Sequence, residues 1–154
     1  MAKNLLCSMA LLVLAMATVS ADGLGLEANP QPQLVTTGYV FDITVQNEQQ
    51  LDAILKRADD LKGQFSPDQY GRIALVLHGE ELRLFKKSNY QRFMSIVDKA
   101  RELDSDHLVD IKACQTAMDS LMIDQSELPD FIEQIPLAPV EIDRLVREQH
   151  FTRL

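Results

Sequence analysis

The chain has 154 residues, a formal net charge of −8 at pH 7 and 46% hydrophobic residues, a composition typical of a globular protein. An acidic chain without a basic run is a poor ligand for nucleic acid and for anionic membrane surfaces, so we expect neither as a partner. Two cysteines and three histidines exclude a disulfide scaffold and show no zinc-ligand spacing, so we predict no metal and no cofactor.

Residues 1–21 have the features of a secretory signal peptide. Lys3 and the amino terminus form a short positive region, residues 5–17 are apolar, and the small residues Val19 and Ala21 mark a cleavage site. The apolar run is shorter than the ~20 residues that a membrane span needs. We therefore expect cleavage after Ala21 and a periplasmic or secreted protein without stable membrane insertion; an uncleaved anchor is the alternative.

Cleavage would remove Cys7 and leave Cys114 as the single cysteine, so no disulfide could form within the mature chain. Residues 22–36 contain Gly, Asn and Pro and predict an irregular N-terminal arm. The remaining residues, 37–154, have the length of one domain with its own core.

Strand-like and helix-like segments alternate along this domain. Residues 38–45, GYVFDITV, predict a strand, and a helix follows with Asn47 as its N-cap and Gly63 as its stop. Residues 72–77, RIALVL, are a nearly continuous apolar run, which is typical of a strand buried on both faces.

The alternation continues to the end of the chain. Pro136 places the fourth strand at an edge of the sheet, and the tail HFTRL is either a short last strand or a docked terminus. The remaining predicted elements are a helix with a capping-box pattern at Ser88 and Gln91, a strand at 107–112, a helix at 114–122, a strand at 131–137 and a helix starting near Pro139.

Strands and helices that alternate with short connections predict parallel strands joined by right-handed crossovers. We expect a single α/β domain with three α/β/α layers and a mainly parallel sheet of four or five strands. Ligands and reactive groups gather at the carboxyl ends of such strands. Two segments fall there: His78-Gly79-Glu80 after the second strand and Ala113-Cys114-Gln115 after the third.

Cys114 is the leading candidate for chemistry. At a helix start it would face free backbone N–H groups and the positive end of the helix dipole, and with Lys112 nearby these favour the thiolate. Such a thiol can attack sulfur and carry it as a persulfide. A buried, inert cysteine is an equally open interpretation, because free cysteine is among the most buried residue types.

His78 could exchange a proton with Cys114 if the two strands are neighbours. A surface imidazole at a strand end is the slightly favoured alternative. Glu80 and Glu81 are expected to be solvated charges, and no Ser-His-Asp arrangement or phosphate-binding glycine loop is present.

The stretches LVLHGEELRLF and VDIKACQTAMDSLMI, followed by a proline-containing strand and a final helix, resemble the DsrE/DsrF-like proteins over roughly residues 37–154. That family includes subunits of sulfur-relay and sulfur-oxidation complexes. The resemblance implies an α/β/α domain that forms homo- or hetero-oligomers, commonly trimers or hexamers, and a persulfide on Cys114. The export signal departs from the cytoplasmic members and leaves the sulfur donor and acceptor proteins open.

Three functions remain at this point. The first is an exported sulfur carrier, a possible sulfurtransferase, with Cys114 and His78 as its site. The second is a non-catalytic oligomeric binding or assembly module in which Cys114 is structural. The third is a small-molecule pocket between subunits, lined by His78 and Cys114.

Overall fold

The computed structural model describes residues 36–154, which form one parallel sheet with the strand order β4-β3-β2-β1-β5. The predicted α/β fold with three layers is confirmed, whereas the predicted signal peptide and almost all of the N-terminal arm lie outside the described residues. The elements are β1 (Gly38–Ile43), α1 (Glu48–Lys62), β2 (Ile73–Leu77), α2 (Tyr90–Asp104), β3 (Val109–Cys114), α3 (Gln115–Ser120), β4 (Glu133–Ile135), α4 (Ala138–Glu148) and β5 (Phe151–Arg153).

The two faces of the sheet have separate apolar cores, because successive side chains of a strand point to opposite faces. Helices α1 and α2 cover the first face, where alternate strand residues such as Phe41, Leu75 and Ile111 are buried. Among residues 36–154, α4 is the helix that covers the second face, where Ile142 and Leu145 pack with Val40, Ala74 and Val76.

The position of α4 follows from the strand order. The chain leaves β4 at one edge of the sheet and returns as β5 at the opposite edge, beside β1. The connecting helix must therefore cross the whole second face. Its buried apolar stripe is Ala138, Ile142 and Leu145, and full burial of one such aliphatic side chain contributes about 1.5–3 kcal/mol.

Of the predicted ends of helices and strands, some are confirmed and others are wrong. Asn47 caps α1 by accepting the N–H of Gln50, as expected. The capping box predicted at Ser88 is wrong, because a 3₁₀ turn occupies Lys87–Asn89 and α2 begins without a side-chain cap. The third strand starts two residues later than expected and ends at Cys114 itself.

The ends of the domain agree better with the sequence. β4 is a three-residue edge strand before Pro136, and α4 has proline in its first turn. The tail forms the short strand β5, which pairs with β1. Within residues 36–154, no helix combines the length and the apolar character that a bilayer crossing requires.

Candidate functional site

His78 and Cys114 follow neighbouring strand ends. Leu77, the last residue of β2, pairs with Ala113 of β3. His78 follows Leu77 directly, and Cys114, the last residue of β3, follows Ala113. Neighbouring strands lie about 4.8 Å apart. The topology therefore brings the two predicted residues to the same edge of the sheet, although no hydrogen bond joins their side chains within residues 36–154.

Cys114 is buried, with only 3% of its surface exposed. Its sulfur lies under the start of α4, where the N–H of Ala138 donates to Sγ at 3.4 Å. The hydroxyl of Thr116 donates to the Pro136 carbonyl at 3.1 Å. Together with the bond from Ala138, this hydrogen bond fixes the connection between β4 and α4 over the cysteine. The sequence had placed the thiol only at the start of α3; the structure also places it at the start of α4.

Lys112 lies two residues before Cys114 on the same face of β3, but its charge is already paired. Its side chain is 8% exposed and its ammonium group contacts Glu133 of β4 and, at 3.5 Å, Glu141 of α4. Hydrogen bonds from Arg144, aided by the charge of Lys112, outweigh burial and lower the pKa of Glu141. Lys112 therefore ties α4 and β4 to the sheet.

His78 is paired with a carboxylate that the sequence did not indicate. Nε2 of His78 is hydrogen-bonded to Oδ1 of Asp42 on β1, and Arg153 of β5 donates to Oδ2 of the same carboxylate. Partial burial raises the pKa of Asp42, but the interactions of the carboxylate with His78, first the hydrogen bond, and with Arg153 outweigh burial and lower this pKa below 3.8. Asp42 on β1, His78 directly after β2 and Arg153 on β5 thus form one polar cluster.

Glu81 is a further residue at this edge of the sheet whose position the sequence interpretation missed. It was expected to be solvated, and that expectation is wrong: Glu81 is 1% exposed, whereas its neighbour Glu80 is exposed. Oε1 of Glu81 accepts the N–H groups of His78 at 2.8 Å and Gly79 at 2.7 Å, and Oε2 accepts the N–H of Val45 at 3.1 Å. The carboxylate ties the segment after β1 to the segment after β2.

The burial of Glu81 depends on Gly79. A Cβ at position 79 would lie 2.7 Å from Oε2 of Glu81 and 3.2 Å from the Thr44 backbone, so a side chain there would displace the carboxylate. Burial raises the pKa of Glu81 above its ordinary value even though the backbone N–H groups act in the opposite direction. In the sequence, the only indication that Glu81 could be buried in this way is its position two residues after Gly79, which follows the end of a strand.

No group of three or more His, Cys, Asp or Glu side chains in residues 36–154 has the arrangement of a metal site. The polar groups at this edge bind one another or the backbone. The two groups at this edge that could react with a ligand are the buried thiol of Cys114 and the imidazole of His78, which Asp42 orients.

Within residues 36–154, the fold and this edge define a parallel α/β domain with one buried cysteine at a strand end. Residues 50–150 match the model of the DsrE/DsrF-like family, and the chain belongs to this family. Membership indicates a role related to sulfur relay.

The fold also occurs in a solved structure, a protein of unknown function, MTH1491, from Methanobacterium thermoautotrophicum. The two chains align with a TM-score of 0.61 at 15% identity, over 75% of this chain and 96% of the other. At this identity the similarity concerns the fold alone. No curated protein matches the chain significantly.

The role of Glu81 can be tested with Glu81→Gln. The amide has one donor end, which cannot accept a backbone N–H, so at least one buried donor loses its partner. We expect a loss of about 1–3 kcal/mol in the free energy of unfolding, measured by urea denaturation. Glu80→Gln at the exposed neighbour should change it by less than about 0.5 kcal/mol. A stabilised Glu81→Gln variant would mean that removing the buried charge outweighs the lost hydrogen bonds.

Asp42 predicts a pH dependence of stability. Because the folded pKa of Asp42 is lowered, its ionised form stabilises the fold fully at pH values above 3.8, and this contribution is lost as the pH falls through the lower folded pKa. Asp42→Asn should therefore cost about 1 kcal/mol at neutral pH, and the difference from the unmodified protein should shrink below pH 3.8.

The matched control for this series is Asp130→Asn, since the Asp130 side chain is 96% exposed. Urea denaturation at a series of pH values measures both variants. A difference between Asp42→Asn and the unmodified protein that stays constant down to the acid limit would contradict the assigned ion pairing.

Proposed function

We propose that the protein takes part in sulfur transfer and that Cys114 carries the sulfur as a persulfide. The observation that carries the proposal is the position of this thiol in a DsrE/DsrF-like domain. It ends β3 at the carboxyl edge of the sheet and points at the first N–H of α4. An N–H donor and the positive end of an eleven-residue helix both stabilise negative charge on sulfur.

The proposed loading step needs no oxidant. The Cys114 thiolate attacks the outer sulfur of a persulfide donor, R–S–SH. A bond forms between Sγ of Cys114 and that sulfur, the S–S bond of the donor breaks, and R–S⁻ leaves. The outer sulfur keeps its proton, so Cys114–S–SH and a thiolate are the products.

Access to the thiol is the physical requirement of this step. Cys114 is 3% exposed, so a donor reaches it only when the connection over it moves. That connection, residues 136–138, is held by the hydrogen bonds that involve Thr116 and Ala138. Pro136 and Leu137 in it are exposed, and such segments open at a lower free energy than the core.

A second candidate function is a non-catalytic assembly or binding module. The same burial of Cys114 favours it, because an inert core cysteine needs no access. In that case the thiol contributes packing and its hydrogen bond to Ala138, and the domain acts through its surface.

Treatment of the protein with cysteine persulfide distinguishes the two candidates. We expect the folded protein to gain the mass of one sulfur atom, measured by intact-protein mass spectrometry on a Cys7→Ala background that leaves Cys114 as the single thiol. Cys114→Ala on this background should show no gain. A thiol that reacts only after unfolding would refute the persulfide proposal and leave the assembly module.

Export and oligomerisation are part of the proposal. The signal-like residues 1–21 support export, and the exposed apolar side chains of Val140 and Met122, 63% and 86% exposed, support self-association. Protein recovered from the host envelope should begin at Asp22 by N-terminal sequencing and sediment as a trimer or hexamer. An intact N-terminus at Met1 would contradict cleavage after Ala21, and a monomer would contradict assembly.

A further inference from the structure

A cavity of about 230 Å³ lies beside His78 on the α4 face of the sheet. It is smaller than the pockets of about 300–1,000 Å³ that hold drug-sized ligands, so it suits a molecule of a few heavy atoms. The wall that comes from α4 is mainly apolar, with Asp143 as its charged residue. The other wall is the polar cluster of the three strands. The lining residues are Asp42, His78, Pro139, Ile142, Asp143, Val146 and Arg153.

The carboxylates that line the cavity are already paired with cationic side chains. The Asp42 carboxylate is bound by Arg153 on one oxygen and by His78 on the other, and Asp143 is paired with Arg147 at 2.7 Å. Each of these two carboxylates thus has an arginine as its counter-charge. A neutral ligand with an apolar body therefore fits the cavity better than an ion does, because an ion would enter without a counter-charge.

Among the groups that line the cavity, Nδ1 of His78 is a hydrogen-bond acceptor that has no protein partner within residues 36–154. Asp42 accepts a proton from Nε2, which fixes the tautomer and leaves a lone pair on Nδ1. No other side chain or backbone group within residues 36–154 bonds to Nδ1. The matching ligand is a donor, such as an S–H group.

The cavity also adjoins the sulfur site. Ala138 donates to Sγ of Cys114, and the next residue, Pro139, lines the cavity. His78 and Cys114 follow a register pair of neighbouring strands. The first turn of α4 therefore separates the cavity from the thiol.

We propose that this cavity binds a small neutral thiol, R–SH, as the acceptor of sulfur, and that His78 takes its proton. The inference rests on the proposed persulfide chemistry of Cys114 and adds the class of acceptor. The S–H proton passes to Nδ1, giving R–S⁻ and an imidazolium paired with Asp42. When residues 136–138 move aside, as the loading of Cys114 also requires, the thiolate attacks the outer sulfur of Cys114–S–SH. The Sγ–S bond breaks, R–S–SH forms, and Cys114 leaves as a thiolate, so no oxidant or reductant is consumed.

The test compares propane-1-thiol with its isomer ethyl methyl sulfide, which has the same atoms but no S–H group. Binding is followed through the ring ¹H–¹⁵N signals of His78 in protein labelled with ¹⁵N-histidine and kept under reducing conditions. We expect the thiol to bind about twofold more tightly than the sulfide, the low end of the worth of one neutral hydrogen bond because S–H is a weak donor, and to shift the Nδ1 signal. Val146→Phe, which fills the cavity, should abolish binding while the backbone amide spectrum stays folded.

Two results would overturn the inference: equal affinity for the two isomers, or no change in the His78 signals with the thiol. The measurement is repeated with Cys114→Ala, in which binding should persist because Cys114 does not line the cavity. Failure of binding in a protein that still forms the persulfide would refute the acceptor site alone. Binding without persulfide formation would refute the sulfur-carrier role and the acceptor role with it.

Discussion

The site depends on one topological constraint: the connection from β4 to β5 must cross the sheet from edge to edge. Helix α4 makes this crossing, and its apolar stripe covers the centre of the second face over β1 and β2. On either side of this stripe, charged strand residues form ion pairs. On one side Asp42 pairs with Arg153, and on the other Lys112 pairs with Glu133 and Glu141. The cavity and the covered cysteine both result from this single helix.

Two carboxylates at the same sheet edge have opposite pKa shifts, and their partners explain the difference. Burial raises the pKa of both Asp42 and Glu81. Asp42 has the cationic partner Arg153 and the imidazole of His78, whose interactions with the ionised form outweigh the cost of burial. Glu81 has only backbone N–H groups, which satisfy its oxygens without neutralising its charge. Asp42 is thus suited to support charge on His78, and Glu81 to hold the strand ends that position it.

If Cys114 carries sulfur as proposed, the cover over its thiol would separate the storage of sulfur from its exchange. In the closed arrangement Cys114 is bonded to Ala138 and protected from solvent, and the imidazole of His78 faces a neighbouring cavity. Movement of residues 136–138 would expose the sulfur without disturbing the sheet, because these residues lie after the short edge strand β4. A persulfide is easily lost to other thiols, so a carrier benefits from such protection.

The amino-acid sequence determined the parallel α/β/α fold, because hydrophobic period and turn residues are local signals. The apolar run of β2, the Asn47 cap and the proline at the start of α4 each identify an element from a few neighbouring residues. It also determined that His78 and Cys114 share one edge, since parallel strands align their carboxyl ends. Where the local signal was weak, as at the beginning of β3, the boundary moved by two residues.

Only the tertiary structure decided what surrounds those two residues. The partner of His78 lies 36 positions earlier in the chain, and Arg153 lies 111 positions from Asp42. The burial of Glu81 requires two strand ends and the absence of a side chain at Gly79. The cover over Cys114 comes from a helix that starts 24 positions later. Contacts between residues so far apart in the chain leave no periodic trace in the sequence, because they arise only when the order of the strands brings their ends together.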